Sequence, residues 1–279
     1  MHSGRYKHCG TLGQAIAPPS GRMLGYHSSG PATGTPVIYI HGHPDSGVTI
    51  TRPRETHIAS ELNIRWIGPD RPGVGLSTPY DSQDILDYPA DIQALAEHLR
   101  LPNYYILGTS GGTGFTLACA KDLPPSQLKG HPAEFTEYFQ TEYVPLAQQD
   151  DAAALEKRIR SEFEESFTGE DRDVVPEENT FKMAVAAFRQ AWVQGAWAHA
   201  NGMEFHWRPW GFMLEDVAFP AIRLWYGEND VITTPAMGKY MAERPEKSVY
   251  REYVGESHYT IWREKNLKEM VRDLLEIHG

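Results

Sequence analysis

A serine, an aspartate and a histidine are the residues of this 279-residue chain whose types and order could do chemistry together. Ser110 is the serine of a G-x-S-x-G pattern at residues 108–112, and Asp230 and His258 follow it along the chain. A serine hydroxyl is a weak nucleophile, which needs a base within hydrogen-bond reach and a third group that orients the base. Alone, Asp230 is more typical of a turn and His258 of a protein surface. In the order Ser, Asp, His they predict nucleophile, acid and base.

The serine pattern joins a predicted strand to a predicted helix. An apolar run at residues 105–107 precedes it, and residues 115–120 are typical of a packed helix. Strand, sharp turn and helix in this order favour a nucleophile elbow, in which the serine has a strained backbone and the flanking glycines keep side chains out of a close approach. On its own, the pattern is equally typical of a glycine-rich turn with an incidental serine.

The same chemistry requires backbone N–H groups directed at the developing oxyanion. We predict that Gly111, directly after the serine, supplies one of these groups. His43, in the loop after the predicted strand 36–40, supplies the other through its backbone. His41 and His43 could instead bind a metal, but no third ligand stands near them at a usual spacing. We therefore predict no metal site.

The elements that must position these residues alternate between strand and helix. Predicted strands cover residues 22–27, 36–40, 65–68, 105–107, 221–226 and 248–254, and predicted helices include 89–101 and the C-terminal stretch. This alternation predicts an α/β fold with a mostly parallel sheet and helices on both faces. Ser110, Asp230 and His258 each follow a strand, so we expect them at one edge of that sheet, where ligands bind in such folds.

The middle of the chain has helical periodicity and no convincing strand. We interpret residues 131–210 as a helical cap, residues 21–130 and 211–279 as the core, and residues 1–20 as a loosely held arm. Three tryptophans at the end of the cap, Trp192, Trp197 and Trp210, are candidates for a substrate pocket beneath a lid. They could equally be the core of the lid itself.

Composition excludes several functional classes. The net charge of −11 and the lack of a Lys/Arg cluster argue against a nucleic-acid partner. Two cysteines cannot form a disulfide framework, and no run of 18 apolar residues predicts a membrane span. The first eight residues lack the apolar run of a signal peptide. We expect a soluble, cytoplasmic protein; its oligomeric state is not predicted.

Five motifs together resemble the α/β-hydrolase superfamily. They are His41-Gly42-His43-Pro44, residues 70–75, the serine pattern at 108–112, residues 227–230 and residues 255–258. The resemblance spans residues 20–278 and implies an eight-stranded, mostly parallel sheet, a cap inserted after the sixth strand, and no cofactor. It also implies Ser110 as nucleophile, His258 as base, Asp230 as its orienting acid, and residues 70–75 as a shaping loop.

The resemblance also separates subclasses. Epoxide hydrolases and haloalkane dehalogenases of this fold use an aspartate nucleophile, whereas position 110 is serine. Proline iminopeptidases usually carry tryptophan after the nucleophile, whereas this chain has Gly111. Esterase, lactonase, thioesterase, C–C bond hydrolase and perhydrolase activities remain.

One departure from the family pattern concerns the sixth strand. Residues 123–130 lead directly into residues 131–135, without the apolar run that the family places there. We therefore predict that this strand is missing and that the sheet has a gap or a re-paired neighbour beside the elbow strand.

The leading hypothesis is a serine hydrolase that cleaves an ester-like bond of a small apolar substrate through an acyl-enzyme on Ser110. The missing strand leaves two alternatives open: a catalytically weak ligand-binding protein, and a chain that folds poorly.

Overall fold

A computed structural model describes residues 13–18, 21–79, 84–121, 143–149, 151–166, 171, 178–196, 210–217, 219, 222–245 and 248–276. Within these residues it contains seven strands and eight α-helices. The strands are β1 (Gln14–Ile16), β2 (Leu24–Ser29), β3 (Thr35–Ile40), β4 (Ile64–Pro69), β5 (Tyr105–Gly108), β6 (Ile222–Gly227) and β7 (Ser248–Tyr253). The helices are α1 (Pro53–Leu62), α2 (Tyr88–His98), α3 (Thr113–Lys121), α4 (Val144–Ala147), α5 (Ala153–Ser166), α6 (Glu178–Trp192), α7 (Pro235–Ala242) and α8 (Glu264–Leu275).

The strands form two sheets. The larger has the order β1-β2-β4-β3-β5, in which β3 pairs in parallel with β4 and β5 while β1 and β2 are antiparallel. The smaller sheet is the parallel pair β6-β7. The predicted α/β architecture with a mostly parallel sheet is confirmed, and the strands begin and end within a few residues of the predicted positions.

Helices cover both faces of the larger sheet, because successive strand residues point to opposite faces. Ile38 and Ile40 of β3 pack with α2 and α3. Val37 and Tyr39, one residue out of phase, pack with α1 and α8. These buried strands have apolar residues on both faces, as expected for a covered parallel sheet.

Helices α4, α5 and α6 have an apolar cluster of their own. Leu155 and Ile159 of α5 pack against Phe181 and Val185 of α6, at the three- and four-residue spacing of the sequence pattern. Trp192, at the end of α6, is buried in this cluster and stacks on Tyr143 with ring centroids 4.6 Å apart.

Within the predicted arm of residues 1–20, the structure describes residues 13–18. Gln14–Ile16 forms β1, which pairs antiparallel with Leu24–Tyr26 of β2. A strand of three residues is too short to show an alternation of apolar and polar side chains in the sequence. Its formation depends on pairing with the free edge of β2 rather than on the sequence of β1 itself.

The expected single sheet of eight strands is replaced by sheets of five and two strands within the described residues. The position of the predicted sixth strand, residues 123–135, lies outside the described residues. Among the described strands, β5 and β6 are edge strands that face each other without pairing. The described strands thus leave a space beside the elbow strand, and the loss of the sixth strand itself stays a prediction.

Candidate active site

Ser110 occupies a strained turn between β5 and α3. Its φ of 45° lies in the left-handed region, which non-glycine residues rarely adopt. The turn is possible because strand and helix approach closely: a Cβ on Gly108 would overlap the hydroxyl of Thr116, and one on Gly112 would overlap the carbonyl oxygen of Ile40. The backbone therefore projects the Ser110 hydroxyl from the end of the strand, as the sequence pattern predicts.

A continuous chain of hydrogen bonds joins the three predicted residues. The Nδ1 atom of His258 lies 2.8 Å from Oδ2 of Asp230, and its Nε2 atom lies 3.2 Å from the Oγ atom of Ser110. Because a carboxylate only accepts, Nδ1 donates to Asp230, which leaves Nε2 to accept from the serine hydroxyl. The gap between β5 and β6 does not separate these residues.

Asp230 is held by the turn that follows β6. Its Oδ1 atom accepts from the backbone N–H groups of Ile232 and Thr233, both at 2.8 Å, and Oδ2 accepts from the Thr233 hydroxyl at 2.7 Å. Burial alone would raise the pKa of Asp230. The hydrogen bond and the charge of His258 outweigh burial, and the hydrogen bonds from Thr233 act in the same direction, so the pKa is lowered. Asp230 is therefore an anion that orients the imidazole.

His258 is positioned by a compact turn after β7. Ser257 donates its backbone N–H to the Thr260 hydroxyl at 2.7 Å. The buried carboxylate of Glu256 accepts from Asn266 of α8 at 2.9 Å. The bond between Glu256 and Asn266 ties the residues before His258 to α8, which is packed on the sheet.

The predicted oxyanion donors His43 and Gly111 lie next to each other. A Cβ on Gly111 would overlap the imidazole ring of His43, so the absence of a side chain at position 111 lets the His43 loop approach the elbow. A Cβ on the preceding residue, Gly42, would lie 3.1 Å from the Cβ of Ser110, so the backbone of the His43 loop passes beside the serine. The use of the two N–H groups for one oxygen atom stays a prediction.

Arg71 joins these two segments, a role that the sequence did not reveal. Its guanidinium donates to the carbonyl oxygens of Gly42, at 2.9 Å, and Gly111, at 3.2 Å, and lies within 3.0 Å of the His43 ring nitrogens. It also lies over the Phe115 ring, with the guanidinium carbon 5.1 Å from the centroid. Burial lowers its pKa to about 10, so it remains a cation at neutral pH. The only signal in the sequence is a charged residue within the loop 70–75.

His41 has a structural role, since both of its ring nitrogens have partners within the fold. Its ring is fully buried, its Nε2 atom accepts from the backbone N–H of Arg71 at 3.1 Å, and its Nδ1 atom lies 3.0 Å from the Gly42 carbonyl oxygen. Burial holds the pKa of His41 well below its ordinary value, and the Arg71 charge acts in the same direction. Across the described ranges, no group of three or more His, Cys, Asp or Glu side chains is arranged to hold a metal ion.

Of the three predicted pocket tryptophans the structure describes two, Trp192 and Trp210, and these lie in different parts of the core. Trp192 is buried in the core of α4–α6, which corresponds to the alternative interpretation as lid core. Trp210 packs against Phe212 and the α3 side of the core, near Gly114. Trp197 lies outside the described residues. Helical spacing predicts which face of a helix is buried, but it does not predict which element packs against that face.

A cavity of about 340 Å³ lies between β5 and β6 and reaches the three residues of the hydrogen-bond chain. We call it the inter-strand cavity. Its walls come from the strand edges, from α3 and from the α8 side of the sheet, and they include Leu107, Leu117, Leu224 and Ile261. The sequence predicts this gap but not its opening onto Ser110 and His258.

A sheet covered on both faces, with a serine elbow whose hydroxyl reaches a histidine at the sheet's end, defines a protein of the hydrolase type. The model of the alpha/beta hydrolase family matches residues 37–272. The chain belongs to this family.

Comparisons with solved structures agree with this assignment at the level of the fold. The esterase RhEst1 from Rhodococcus sp. ECU1013 superposes with a TM-score of 0.64 at 17% identity, covering 96% of this chain and 99% of the esterase. E-2-(acetamidomethylene)succinate hydrolase superposes with a TM-score of 0.68 at 16% identity, covering 95% and 99%.

Curated relatives match a shorter segment. Proline iminopeptidase of Arabidopsis thaliana is 32% identical over 104 residues, which are 36% of this chain and 27% of the relative. Probable proline iminopeptidase of Leptolyngbya boryana is 33% identical over 121 residues, which are 39% of this chain and 37% of the relative. The matched segment thus spans about a quarter to two fifths of these proteins. Separately, none of the described helices has the length and apolarity needed to cross a bilayer.

Proposed function

We propose that this member of the alpha/beta hydrolase family is a cofactor-independent serine hydrolase that cleaves an ester-like bond of a small apolar substrate. The observation that carries the proposal is the hydrogen-bond chain from Ser110 through His258 to Asp230, with distances of 3.2 and 2.8 Å. These distances suit proton transfer from the hydroxyl to the imidazole. They favour an enzyme over the alternative of a catalytically weak binding protein, for which the chain of bonds has no use.

The proposed reaction has two halves. The Ser110 oxygen attacks the substrate carbonyl while its proton moves to Nε2 of His258, and the negative charge on the carbonyl oxygen is met by the N–H groups of His43 and Gly111. The imidazolium then protonates the departing alkoxide, which leaves an acyl-enzyme and an alcohol. In the second half His258 takes a proton from water, the hydroxide attacks the acyl carbon, and Ser110 recovers its proton as the acid departs. The Asp230 carboxylate stays ionised throughout.

Covalent labelling and turnover test this proposal directly. A fluorophosphonate probe should label Ser110 in the intact protein, and Ser110→Ala should remove both the label and the hydrolysis of p-nitrophenyl butyrate. We expect a loss of turnover on the order of 10⁴-fold or more, because Ser110 and His258 act as a unit. Ser28→Ala, which truncates an exposed serine on β2, is the matched control and should change neither. A folded wild-type protein that neither labels nor cleaves any short-chain ester would rule out the proposal.

Amide cleavage next to a free amino terminus is a second candidate, which the names of the curated relatives favour. One electrostatic feature supports it. The pKa of Tyr259, which adjoins His258, is raised first by burial and then by the negative charges of Asp171, Asp230 and Glu162. A substrate's ammonium group would be attracted to such a region. Gly111 is a departure from the tryptophan usual in proline iminopeptidases.

Prolyl-4-nitroanilide and its N-acetylated form separate the two candidates. An aminopeptidase should cleave the first at least a hundredfold faster than the second, because acetylation removes the charge that the carboxylates attract. Cleavage of neither anilide, together with turnover of p-nitrophenyl esters, would leave the esterase as the function.

A further inference from the structure

The inter-strand cavity has the geometry of a missing strand of the sheet. Strand β5 forms one wall and β6 the opposite wall, while α3 lies on one face and the Ile261–Leu274 segment on the other. Ser110 and Asp230 follow β5 and β6, and both reach His258, so the two strands end on the same side of the molecule. An extended segment that ran parallel to both strands between them would be covered above and below.

The hydrogen-bonding groups of β5 that face the cavity follow from the alternation of the strand backbone. Thr109 donates its N–H to Ile40 of β3 at 3.1 Å, so Thr109 and Leu107 face β3. The backbone groups of Ile106 and Gly108 therefore face away from β3, and both residues line the cavity.

The same reasoning applies to β6. Glu228 donates its N–H to Tyr253 of β7 at 3.0 Å, so Glu228 and the even-numbered residues before it face β7. The backbone groups of Arg223 and Trp225 therefore face the cavity, and both residues line it. Two walls of the cavity thus offer peptide donors and acceptors, whereas the side chains that cover it are mostly apolar, with Thr113 and Thr116 as the exceptions on the α3 side.

These walls select the chemical class of the occupant. An alkyl chain would suit Leu117 and Leu224 but would leave the peptide groups of both strand edges without partners, which is unfavourable in a covered site. Water would satisfy those groups but would lie against apolar side chains. An extended peptide satisfies both requirements, since its backbone pairs sideways and its side chains point up and down.

The exposure of residues in β5 and at the rim of the cavity is consistent with an occupant that comes from another polypeptide chain. Only Leu107 of the four residues of β5 is fully buried, although β5 lies beside β3 in the middle of the fold. Phe219, which lines the cavity, is 46% exposed, an apolar side chain at the rim that a chain leaving the cavity would contact.

We propose that the inter-strand cavity binds an extended, apolar peptide segment of about four residues from another polypeptide chain, which adds as a parallel strand between β5 and β6. The length matches the four residues of β5. The volume of about 340 Å³ favours small and β-branched side chains such as Ala and Val. Bridging the two sheets fixes β5 relative to β6, and with them Ser110 relative to Asp230. The binding site itself does not depend on the proposed hydrolase chemistry.

The test uses two soluble peptides, Ac-Lys-Val-Ala-Val-Ala-Lys-NH₂ and Ac-Lys-Ala-Val-Ala-Val-Lys-NH₂, with the full chain carrying Ser110→Ala so that turnover plays no part. Calorimetry and the emission of Trp225 and Trp262, which line the cavity, report binding. We expect saturable binding of one peptide per chain by at least one of the two. We also expect the melting temperature to rise with peptide concentration.

N-methylation of the peptide backbone distinguishes binding through strand hydrogen bonds from binding through apolar contacts alone. The binding peptide with N-methyl groups on two alternate central residues keeps its side chains but loses donors on one edge, so its affinity should fall at least tenfold. Leu224→Trp, which fills the cavity, should abolish binding. Ile222→Phe serves the same purpose if the first variant does not fold.

Three outcomes would overturn the proposal. They are no binding by either peptide, equal binding of methylated and unmethylated peptide, and unchanged binding in both cavity-filling variants. Fluorophosphonate labelling of Ser110 in the wild-type chain is measured separately, so a failure of the peptide site and a failure of the hydrolase proposal give different results.

Discussion

Arg71 is the side chain on which the segments of the two proposed oxyanion donors converge. It is only 4% exposed, and its guanidinium bonds the carbonyl oxygens of Gly42 and Gly111 while it contacts His43. A planar guanidinium presents several donors in a fixed arrangement, which an ammonium group cannot reproduce. The relative position of the His43 loop and the Gly111 turn therefore depends on one side chain.

Replacing Arg71 should lower kcat more than it raises KM. In Arg71→Lys the charge remains but the fixed arrangement of donors is lost. We expect kcat to fall about tenfold to a hundredfold, less than the roughly 10²- to 10³-fold cost of deleting an oxyanion-hole donor. Arg71→Met should cost more, since it also leaves buried carbonyl groups without donors. Steady-state kinetics with p-nitrophenyl butyrate and thermal unfolding of each variant provide the measurement. An effect on KM alone, or a loss of activity only in proportion to unfolding, would contradict this role.

At the scale of elements, the elbow depends on the close approach of β3, β5 and α3. Gly112 faces the backbone of β3, where a Cβ would overlap the carbonyl oxygen of Ile40. Gly114, two residues on, faces the movable end of the Ile85 side chain at 2.8 Å. A glycine-to-alanine substitution should therefore meet a fixed backbone atom at position 112 and a movable side chain at position 114.

Gly112→Ala should destabilise the fold and Gly114→Ala should not. Overpacking against a backbone atom costs about 1–3 kcal/mol, and the displaced strand should also weaken Ser110 labelling. In Gly114→Ala the Ile85 side chain can shift, and alanine gains roughly 0.5–1 kcal/mol of helix preference over glycine. Urea unfolding and the rate of fluorophosphonate labelling compare the two variants. Equal effects would mean that the contact with Ile40 does not control the elbow.

The elements, and the meeting of Ser110, Asp230 and His258, could be predicted because local signals encode them. Apolar runs predicted β3 to β7, and the order of Ser110, Asp230 and His258 after strands brought them to one edge. Other features depend on distant contacts that no pattern records. Examples are the pairing of β1, the burial of Trp192 against Tyr143, and the reach of Arg71 from loop 70–75 to Gly111.

For the molecule as a whole, acid stability depends in part on buried histidines. His41 is fully buried and its pKa is held well below the ordinary value by burial, and burial also lowers the pKa of His27 against the opposing charge of Asp70. In the unfolded chain each histidine titrates near 6.5. Below that pH the unfolded chain binds more protons than the folded one, so the free energy of unfolding falls as the pH falls.

His41→Gln should reduce the loss of stability in acid. The wild-type free energy of unfolding should fall by about 1 kcal/mol through His41 alone between pH 6.5 and 5.5, and the variant should lack this part of the slope. Its stability at pH 7.5 serves as the reference for each protein, because the substitution also changes two buried hydrogen bonds. His98→Gln, at an exposed position on α2, is the matched control. Identical slopes in the variant and the wild type would show that His41 is not responsible.

Hydrogen bonds from the end of α6 and from the residues just after it to the loop 70–77 have a consequence for engineering this protein. Gly75 donates to the Gln190 carbonyl oxygen at 3.1 Å, and the Gln194 amide donates to the carbonyl oxygens of Gly75 and Ser77 at 2.5 and 2.9 Å. The same loop carries Arg71. Residues 178–194 are thus hydrogen-bonded to the loop that carries Arg71. A replacement of this segment should therefore shift the loop, and Arg71 with it, unless it retains the equivalents of Gln190 and Gln194.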